Sequence, residues 1–276
     1  TEIPNELVWK FLLKEDSRTP WGSDNKYLFS LYQGENLGEE QSVIGEIDKD
    51  KKFDNGTWLC ASDKAIKCQM DPRNILNDDN IFQFIELKYV KNAQTEKGLK
   101  VITQNTFLEN ELVQKALIEA GEKANIDPYF VASRLIQEQG KKGTVLSKGY
   151  QYNEENIVYN PFNIGAKGNS NSEILSNAAQ YAYEQGWDSL EKAIVGGIEY
   201  VKEDYINKGQ NTLYLQKFDV EATNGLYSNQ YMQNLMAPQS EAKSMLKIYK
   251  ASDTVDSNLN FIIPLYGNMP TEISEK

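Results

Sequence analysis

Apolar side chains recur at intervals of three and four residues along most of this chain, a spacing that predicts amphipathic helices. The predicted helical faces are formed by Leu7, Val8, Phe11 and Leu12, by Ile81, Phe82, Ile85 and Tyr89, by Leu112, Val113, Ala116, Leu117 and Ala120, by Ile174, Leu175, Ala178, Ala179 and Ala182, by Ala193, Ile194, Gly197, Ile198 and Val201, and by Ala242, Met245, Leu246 and Tyr249. Residues 141–160 fit a loop or a small hairpin, and Asn260–Tyr266 is expected to be extended and to pack as a terminal strap. The pattern therefore predicts a mainly α fold with little β structure.

A further predicted helix carries a carboxylate, that of Glu138, near its C-terminal end. An Asp-Pro pair at 127–128 is suited to its N-cap and first position, and Gly140 to its C-terminal end. Val131, Leu135 and Glu138 follow i, i+4, i+7 spacing and share one face. A carboxyl group at the end of an apolar stripe is expected to be partly desolvated, which would raise its pKa. A general acid needs such a pKa at neutral pH.

A turn rich in aromatic and amide side chains, YNPFNIGA, follows at 159–166. A proton donor beside a platform of aromatic rings and amides suggests sugar chemistry. The sequence therefore predicts a carbohydrate-processing site built around Glu138.

The absence of histidine from the 276 residues excludes Ser-His-Asp and Cys-His catalysis and HExxH zinc sites. Proton transfer is therefore left to Asp, Glu, Tyr or Lys. Cys60 and Cys68 lack CxxC zinc spacing and could form one disulfide or remain two free thiols. We expect no metal and no other cofactor.

The net charge of −11 predicts that the chain does not bind nucleic acid, because neutralisation of phosphates dominates that affinity. No apolar run approaches a membrane span, and no signal-peptide pattern opens the chain. Thr1 in place of Met predicts a processed or excised piece, whose targeting segment has been removed if the parent protein is secreted. We expect no membrane insertion, and a monomer.

Several short blocks, taken in their order and spacing, resemble glycoside hydrolase family 73, the endo-β-N-acetylglucosaminidases of bacterial cell walls. The similarity is greatest to the autolysin branch of Gram-positive bacilli and clostridia. The blocks are MDPRN (70–74), SRLIQE (133–138), YNPFNIGA (159–166), YAYEQGW (181–187), KAIVGG (192–197), GQNTLY (209–214), NQYMQN (229–234) and FIIPLYGNMP (261–270). The resemblance covers roughly residues 57–270. At one visible position the chain departs from it, since many relatives carry His where Asn229 stands.

The resemblance implies a lysozyme-like α fold with a glycan-binding groove between two lobes. It also implies hydrolysis of the N-acetylglucosaminyl-β-1,4-N-acetylmuramic acid bond of peptidoglycan. We therefore divide the chain into an N-terminal extension or small subdomain at 1–56, of unknown role, and a glucosaminidase catalytic domain at 57–276. Its partner would be peptidoglycan glycan strands, and its location would be the wall of a Gram-positive bacterium, outside the cell.

Glu138 is the expected general acid. A glycosidase also needs a base or a nucleophile, about 5–5.5 Å from the acid for retention or about 6.5–9.5 Å for inversion. Glu173, Glu154 and Glu155 are candidates for that second group. Glu173 could equally serve a structural role in the first turn of a helix, and the other two could be solvated surface residues. A third route uses the 2-acetamido oxygen of the substrate as the nucleophile. The sequence is consistent with all of these routes.

Aromatic and amide residues of the blocks are the expected substrate-binding groups. The rings of Tyr159, Phe162, Tyr214 and Tyr231 could stack on sugar faces, although core packing is the commoner role of a lone aromatic residue. The amides of Asn163 and Gln230 suit hydrogen bonds to acetamido groups.

Other functions stay open beside the cell-wall glycosidase. A lytic transglycosylase or a muramidase on the same fold would also rely on one glutamate. A non-catalytic glycan-binding module would bind walls without lysing them, and a helical structural domain would do neither.

Overall fold

The computed structural model describes residues 8–14, 31–33, 48–53, 58–61, 63–220, 229–231, 234–266 and 269–273, with side chains described for residue 61 and from residue 65 onward in those ranges. The chain divides into two compact units. The first unit comprises Thr1–Glu86, Asn207–Lys243 and Leu259–Lys276, and the second unit comprises Leu87–Ile206 and Ser244–Asn258.

Helices make up most of the regular structure in these ranges, so the prediction of a mainly α fold is confirmed. The α-helices are α1 (Asp63–Met70), α2 (Glu96–Thr103), α3 (Glu111–Ala124), α4 (Pro128–Gln139), α5 (Val145–Lys148), α6 (Asn171–Glu184), α7 (Leu190–Asp204), α8 (Leu213–Phe218) and α9 (Ala237–Ser252). Short 3₁₀ turns span Pro72–Asn74, Ile81–Phe84 and Ile206–Lys208. The strands are β1 (Val8–Lys14), β2 (Leu31–Gln33), β3 (Asp48–Phe53), β4 (Trp58–Cys60), β5 (Tyr150–Gln151), β6 (Ile157–Val158) and β7 (Asn260–Tyr266).

The first unit contains a parallel pair formed by β1 and β7, in which Val8 lies opposite Asn260 and Lys14 opposite Tyr266. The predicted terminal strap is therefore confirmed. The helix predicted around Leu7 to Leu12 is wrong from Val8 onward, because hydrogen bonds to a strand far along the chain override the local helical periodicity. A small antiparallel sheet in the order β2-β4-β3 belongs to the same unit.

Aromatic rings form much of the core of the first unit. The ring of Tyr214 lies 5.2 Å from that of Phe84 and 4.8 Å from that of Phe218, between ring centres. Phe82 meets Phe261 edge to face at 5.7 Å, which packs β7 against the turn at 81–84. These contacts join chain segments that lie far apart in sequence.

The second unit is a helical bundle in which α3 packs on α7 and α4 packs on both α2 and α3. Close packing of α2 on α4 depends on Gly98, because a β-carbon at that position would lie 2.0 Å from the hydroxyl of Tyr129. The small antiparallel hairpin of β5 and β6 confirms the hairpin considered for residues 141–160. Val158, Ile164 and Trp187 form a second buried cluster against α6.

None of the helices in the described part of the chain combines the length and the apolar character that a membrane span requires.

Candidate active site

Helix α4 carries Glu138 in its last turn and begins where the sequence predicts. The carboxylate of Asp127 accepts hydrogen bonds from the amides of Tyr129 at 2.7 Å and Phe130 at 3.4 Å, so Asp127 is the N-cap. Pro128 occupies the first turn, and Gly140 follows the last helical residue with a φ of 68°. The sequence therefore predicts both ends of the helix that holds the candidate acid.

The predicted desolvation of Glu138 is wrong, because its side chain is exposed. Val131 and Leu135 are buried as expected, but Gln139 continues the buried face into the last turn. The series 131, 135, 139 has i, i+4, i+8 spacing and is as good a helical face as the series that ends at 138. Glu138 therefore points out of the core of the second unit, where a substrate can reach it.

Charged and phenolic side chains of α4 and the end of α7 lie within electrostatic reach of one another. Arg134 is buried, and its guanidinium carbon lies 4.5 Å from the centre of the Phe130 ring. Burial, together with the smaller effects of the nearby charges of Asp204 and Glu138, raises the pKa of Tyr205 to about 12, although Arg134 acts to lower it. Tyr205 is therefore a neutral phenol within reach of the charges of both Glu138 and Arg134. The sequence reasoning missed this residue.

Gln139 ties the end of α4 to the turn at 159–166. Its side-chain nitrogen donates to the carbonyl of Pro161 at 2.8 Å and to the side-chain oxygen of Asn163 at 3.0 Å. Its side-chain oxygen accepts a hydrogen bond from the hydroxyl of Thr144. The residue directly after Glu138 is therefore held at three points within the second unit.

The turn at 159–166 is held by a second buried amide. The side chain of Asn160 donates to the carbonyls of Ile164 at 2.8 Å and Ala178 at 2.9 Å, and it accepts from the amide of Ile164 at 3.1 Å. Phe162 is half-buried and lies so close to Gly197 that a β-carbon there would come within 2.0 Å of its ring. The turn is thus a fixed platform rather than a loose loop.

An open cavity of about 650 Å³ lies in the second unit beside this platform, and half-buried Tyr159 lines it. Its other polar walls include Asn110, Ser147 and Glu191, together with Lys141, Lys142 and Lys148. The segment at 141–148 follows α4 directly, so the cavity begins where the helix that carries Glu138 ends.

The candidates for a second catalytic carboxylate are all exposed. Glu173 lies in the first turn of α6, which is capped by Ser170, and its carboxylate accepts from the amide of Asn169 at 2.8 Å. This contact closes the start of the helix, as a structural role requires. Glu154 and Glu155 lie at the tip of the β5–β6 hairpin.

Tyr214 does not fit the predicted stacking role, because its side chain is fully buried in the first unit. Its hydroxyl lies 2.6 Å from the carbonyl of Met70 and 2.6 Å from the hydroxyl of Tyr266. Helix α8 places it on the core side, where it cannot reach a sugar. We therefore correct its role to core packing.

Gln230 and Tyr231 are half-buried in the first unit, beside a group of polar side chains. The side-chain oxygen of Gln230 lies 3.5 Å from the ammonium nitrogen of Lys217, whose pKa burial lowers to about 7. Asn229 is the residue at which the chain departs from the histidine expected from the resemblance. Its side-chain nitrogen donates to the side-chain oxygen of Gln210 at 2.8 Å. The side-chain nitrogen of Gln210 in turn donates to the backbone carbonyl of Asn229 at 2.8 Å. The side-chain amide of Asn229 therefore has a structural role.

No group of three or more His, Cys, Asp or Glu side chains that could hold a metal ion occurs among the described residues. The side chain of Cys68 is buried, and that of Cys60 lies outside the described residues.

No protein-family model matches the chain, but comparison with known proteins finds similar sequences and structures. The chain is 31% identical over 234 residues to "Beta-N-acetylglucosaminidase" of Bacillus subtilis (strain 168), a match that covers 83% of this chain and 25% of the relative. It is 28% identical over 232 residues to "Bifunctional autolysin" of Staphylococcus aureus (strain N315), covering 79% of this chain and 18% of that protein. The crystal structure of S. aureus glucosaminidase B superimposes with a TM-score of 0.70 at 20% identity, covering 97% of both chains.

The chain is a homologue of the bacterial autolysin glucosaminidases. The resemblance drawn from the sequence blocks is thereby confirmed. A catalytic mutant of S. aureus autolysin E in complex with the disaccharide NAG-NAM is also similar, with a TM-score of 0.55, 25% identity, and coverage of 79% of this chain and 86% of that chain. The chain spans only a quarter or less of the length of the curated autolysin and glucosaminidase relatives.

Proposed function

We propose that this homologue hydrolyses the N-acetylglucosaminyl-β-1,4-N-acetylmuramic acid bond of peptidoglycan, with Glu138 as the general acid. The observation that carries the proposal is the match to the B. subtilis beta-N-acetylglucosaminidase, which covers 83% of the chain. A match of that extent includes the middle of the chain, where Glu138 and the turn at 159–166 lie. The NAG-NAM disaccharide bound by the related autolysin E mutant supports the same substrate class.

The geometry of α4 supports Glu138 as the proton donor. Its side chain is exposed and therefore accessible, and three hydrogen bonds of the next residue fix the end of the helix that carries it. A glycan strand lying over Glu138 would exclude water from the carboxyl group, which strengthens its interaction with the leaving oxygen. Arg134 and neutral Tyr205 would then be the protein groups whose charges and dipoles act on it.

The second catalytic group remains a choice between Glu173, the hairpin residues Glu154 and Glu155, and the acetamido oxygen of the substrate. Glu173 is our protein candidate, although its carboxylate already accepts a hydrogen bond from Asn169. We expect Glu173→Gln to lose activity at least about 100-fold if the residue acts directly. Activity near that of the unmodified protein would exclude Glu173 and favour the other routes.

Substrate contacts are proposed for each unit separately. In the second unit, half-buried Tyr159, Phe162 and Asn163 are the proposed contacts, and the side-chain nitrogen of Asn163 makes no hydrogen bond among the described residues. In the first unit, Gln230 and Tyr231 are the proposed contacts. Alanine at each of these positions should raise KM in assays with purified walls. Unchanged KM would remove that residue from the proposed contacts.

We further propose that the chain acts as a monomer at the bacterial wall, outside the cell, without a metal or other cofactor, nucleic acid or membrane insertion. The expectation that 57–276 is the catalytic domain, with 1–56 as an extension, also remains a proposal. Lysis of purified walls by the full chain in the presence of a chelator would support the absence of a metal. Light scattering after gel filtration measures the oligomeric state.

The direct test is Glu138→Gln, which keeps the size of the side chain but removes the acid. We expect loss of wall turbidity to slow by at least about 100-fold, the usual range for loss of a general acid. Glu119→Gln, on the exposed side of α3, is the matched control and should lyse walls normally. Near-normal lysis by a folded Glu138→Gln variant would defeat the proposal.

A further inference from the structure

The cavity in the second unit combines a concave shape with a positive wall. Its volume of about 650 Å³ is large enough for a small ligand or for part of a polymer. Lys141, Lys142 and Lys148 line it, and all three are exposed. Of the described residues that line it, Glu191 alone is acidic, in a protein whose net charge is −11.

In the described part of the chain, no carboxylate engages these three lysines. No Asp or Glu in the ranges that the structure describes forms an ion pair with any of them, whereas Lys97, Lys115 and Lys192 elsewhere in the second unit do form ion pairs. Clustering three unpaired ammonium groups around one cavity is unfavourable without an anion. The cavity therefore presents positive charge to a ligand.

Neutral donors lie beside the lysines. The hydroxyl of Tyr159 and the side-chain nitrogen of Asn110 make no hydrogen bonds among the described residues, and both side chains line the cavity. The side-chain oxygen of Asn110, by contrast, caps α3 by accepting from the amide of Leu112 at 2.8 Å. A carboxylate entering the cavity would thus meet ammonium groups and two neutral donors, a chemistry that suits an oxyanion.

The position of the cavity limits what the anion can be. Lys141 follows Glu138 by three residues, so their Cα atoms lie at most about 11 Å apart. A peptide spans up to about 3.5 Å per residue, so a short peptide attached to a sugar near Glu138 could reach the lysines. In peptidoglycan, such a peptide is attached to N-acetylmuramic acid and carries carboxylates, as in the muropeptide NAM-L-ALA-D-iGLU bound by autolysin E.

We propose that the cavity lined by Lys141, Lys142 and Lys148 binds a carboxylate of the stem peptide of peptidoglycan. This rests on the proposed function, because it places the glycan near Glu138. It adds a subsite that selects peptide-bearing glycan over bare glycan. The anionic phosphates of teichoic acids are the competing ligand.

The test compares binding by the full chain with that by its Lys141→Gln/Lys142→Gln/Lys148→Gln variant. Both carry Glu138→Gln, so that insoluble peptidoglycan is not consumed during sedimentation. On peptidoglycan freed of teichoic acid, we expect the triple variant to raise Kd about tenfold, as summed weak ion pairs would. On glycan strands whose stem peptides an amidase has removed, both proteins should bind equally. Raised salt should shrink the difference on the first substrate.

The matched control, Lys91→Gln/Lys123→Gln/Lys167→Gln, removes the same charge from exposed lysines outside the cavity and should change Kd less than about twofold. Equal Kd values for the cavity variant and this control on stem-bearing peptidoglycan would overturn the proposal. A defect seen only on walls that retain teichoic acid would also overturn it, in favour of phosphate. Because binding is measured without cleavage, these outcomes are separate from a failure of the glucosaminidase proposal, which would show as absent lysis by the unmodified protein.

Discussion

Replacement of Gln139 by methionine tests whether the hydrogen bonds at the end of α4 position Glu138. Methionine has a similar length and shape but removes the donor to Pro161 and Asn163 and the acceptor for Thr144. Gln139 is 4% exposed, so water cannot replace its contacts easily.

The expected loss of stability depends on whether each hydrogen-bond partner of Gln139 can find another partner once methionine replaces it. Thr144 is exposed and can bind water, and Asn163 is half-buried and can turn towards solvent. The carbonyl of Pro161 belongs to a buried residue and loses this donor, which typically costs about 1–3 kcal/mol. We therefore expect Gln139→Met to lower the free energy of unfolding by about 2 kcal/mol. That corresponds to a fall in Tm of roughly 4–8 °C, measured by calorimetry.

The catalytic effect should exceed what destabilisation alone explains. A displacement of about 1 Å at a catalytic group can cost about 100-fold in rate, so we expect kcat for wall lysis to fall at least about tenfold at a temperature where the variant is folded. Gln104→Met makes the same chemical change at an exposed position and is the control. If Gln139→Met matched Gln104→Met in both Tm and kcat, the positioning role of Gln139 would be refuted.

Three further predictions concern the core. Burial raises the pKa of Asp127 from its usual 3.8 to about 6. Between these two pH values the folded state therefore binds a proton that the unfolded state has released. The contribution of Asp127 to stability then falls as pH rises from about 4 to 6. Asp127→Asn should therefore become more stable relative to the unmodified protein over that interval in chemical denaturation, and a pH-independent difference would contradict this. Tyr214→Phe should lower the free energy of unfolding by about 1–2 kcal/mol in urea titrations without changing wall binding, because it removes the contacts of the buried hydroxyl with Met70 and Tyr266. Gly197→Ala should lower Tm by several degrees, since its β-carbon would overlap the Phe162 ring, and an unchanged Tm would argue against that contact.

Local chemistry predicted the helix that carries Glu138 and its ends, because an N-cap Asp, a first-turn Pro and a terminal Gly act over a few residues. The mainly helical fold was predictable from the three- and four-residue spacing of apolar side chains, which is also a local pattern. The strand at Val8–Lys14 was not, because its seven residues also fit a helical face and only pairing with Asn260–Tyr266 decides between the two structures.

Within the candidate site, residue types were easier to predict than their environments. The series Val131, Leu135, Glu138 and the series Val131, Leu135, Gln139 are both consistent with one helical face, and tertiary packing buries the second. Tyr214 was predicted to bind sugar because aromatic residues serve both cores and glycan sites, and only its burial separates the two roles. The electrostatic proximity of Tyr205 to Glu138 depends on packing between helices that periodicity does not specify.

End-group analysis of the products identifies the bond that this chain cleaves. Purified peptidoglycan is digested with the full chain, reduced with borohydride and analysed by mass spectrometry. We expect the new reducing ends to be N-acetylglucosamine, recovered as its reduced alcohol. Reduced N-acetylmuramic acid would indicate a muramidase, and non-reducible 1,6-anhydro ends would indicate a lytic transglycosylase. Either result would rule out the proposed glucosaminidase activity.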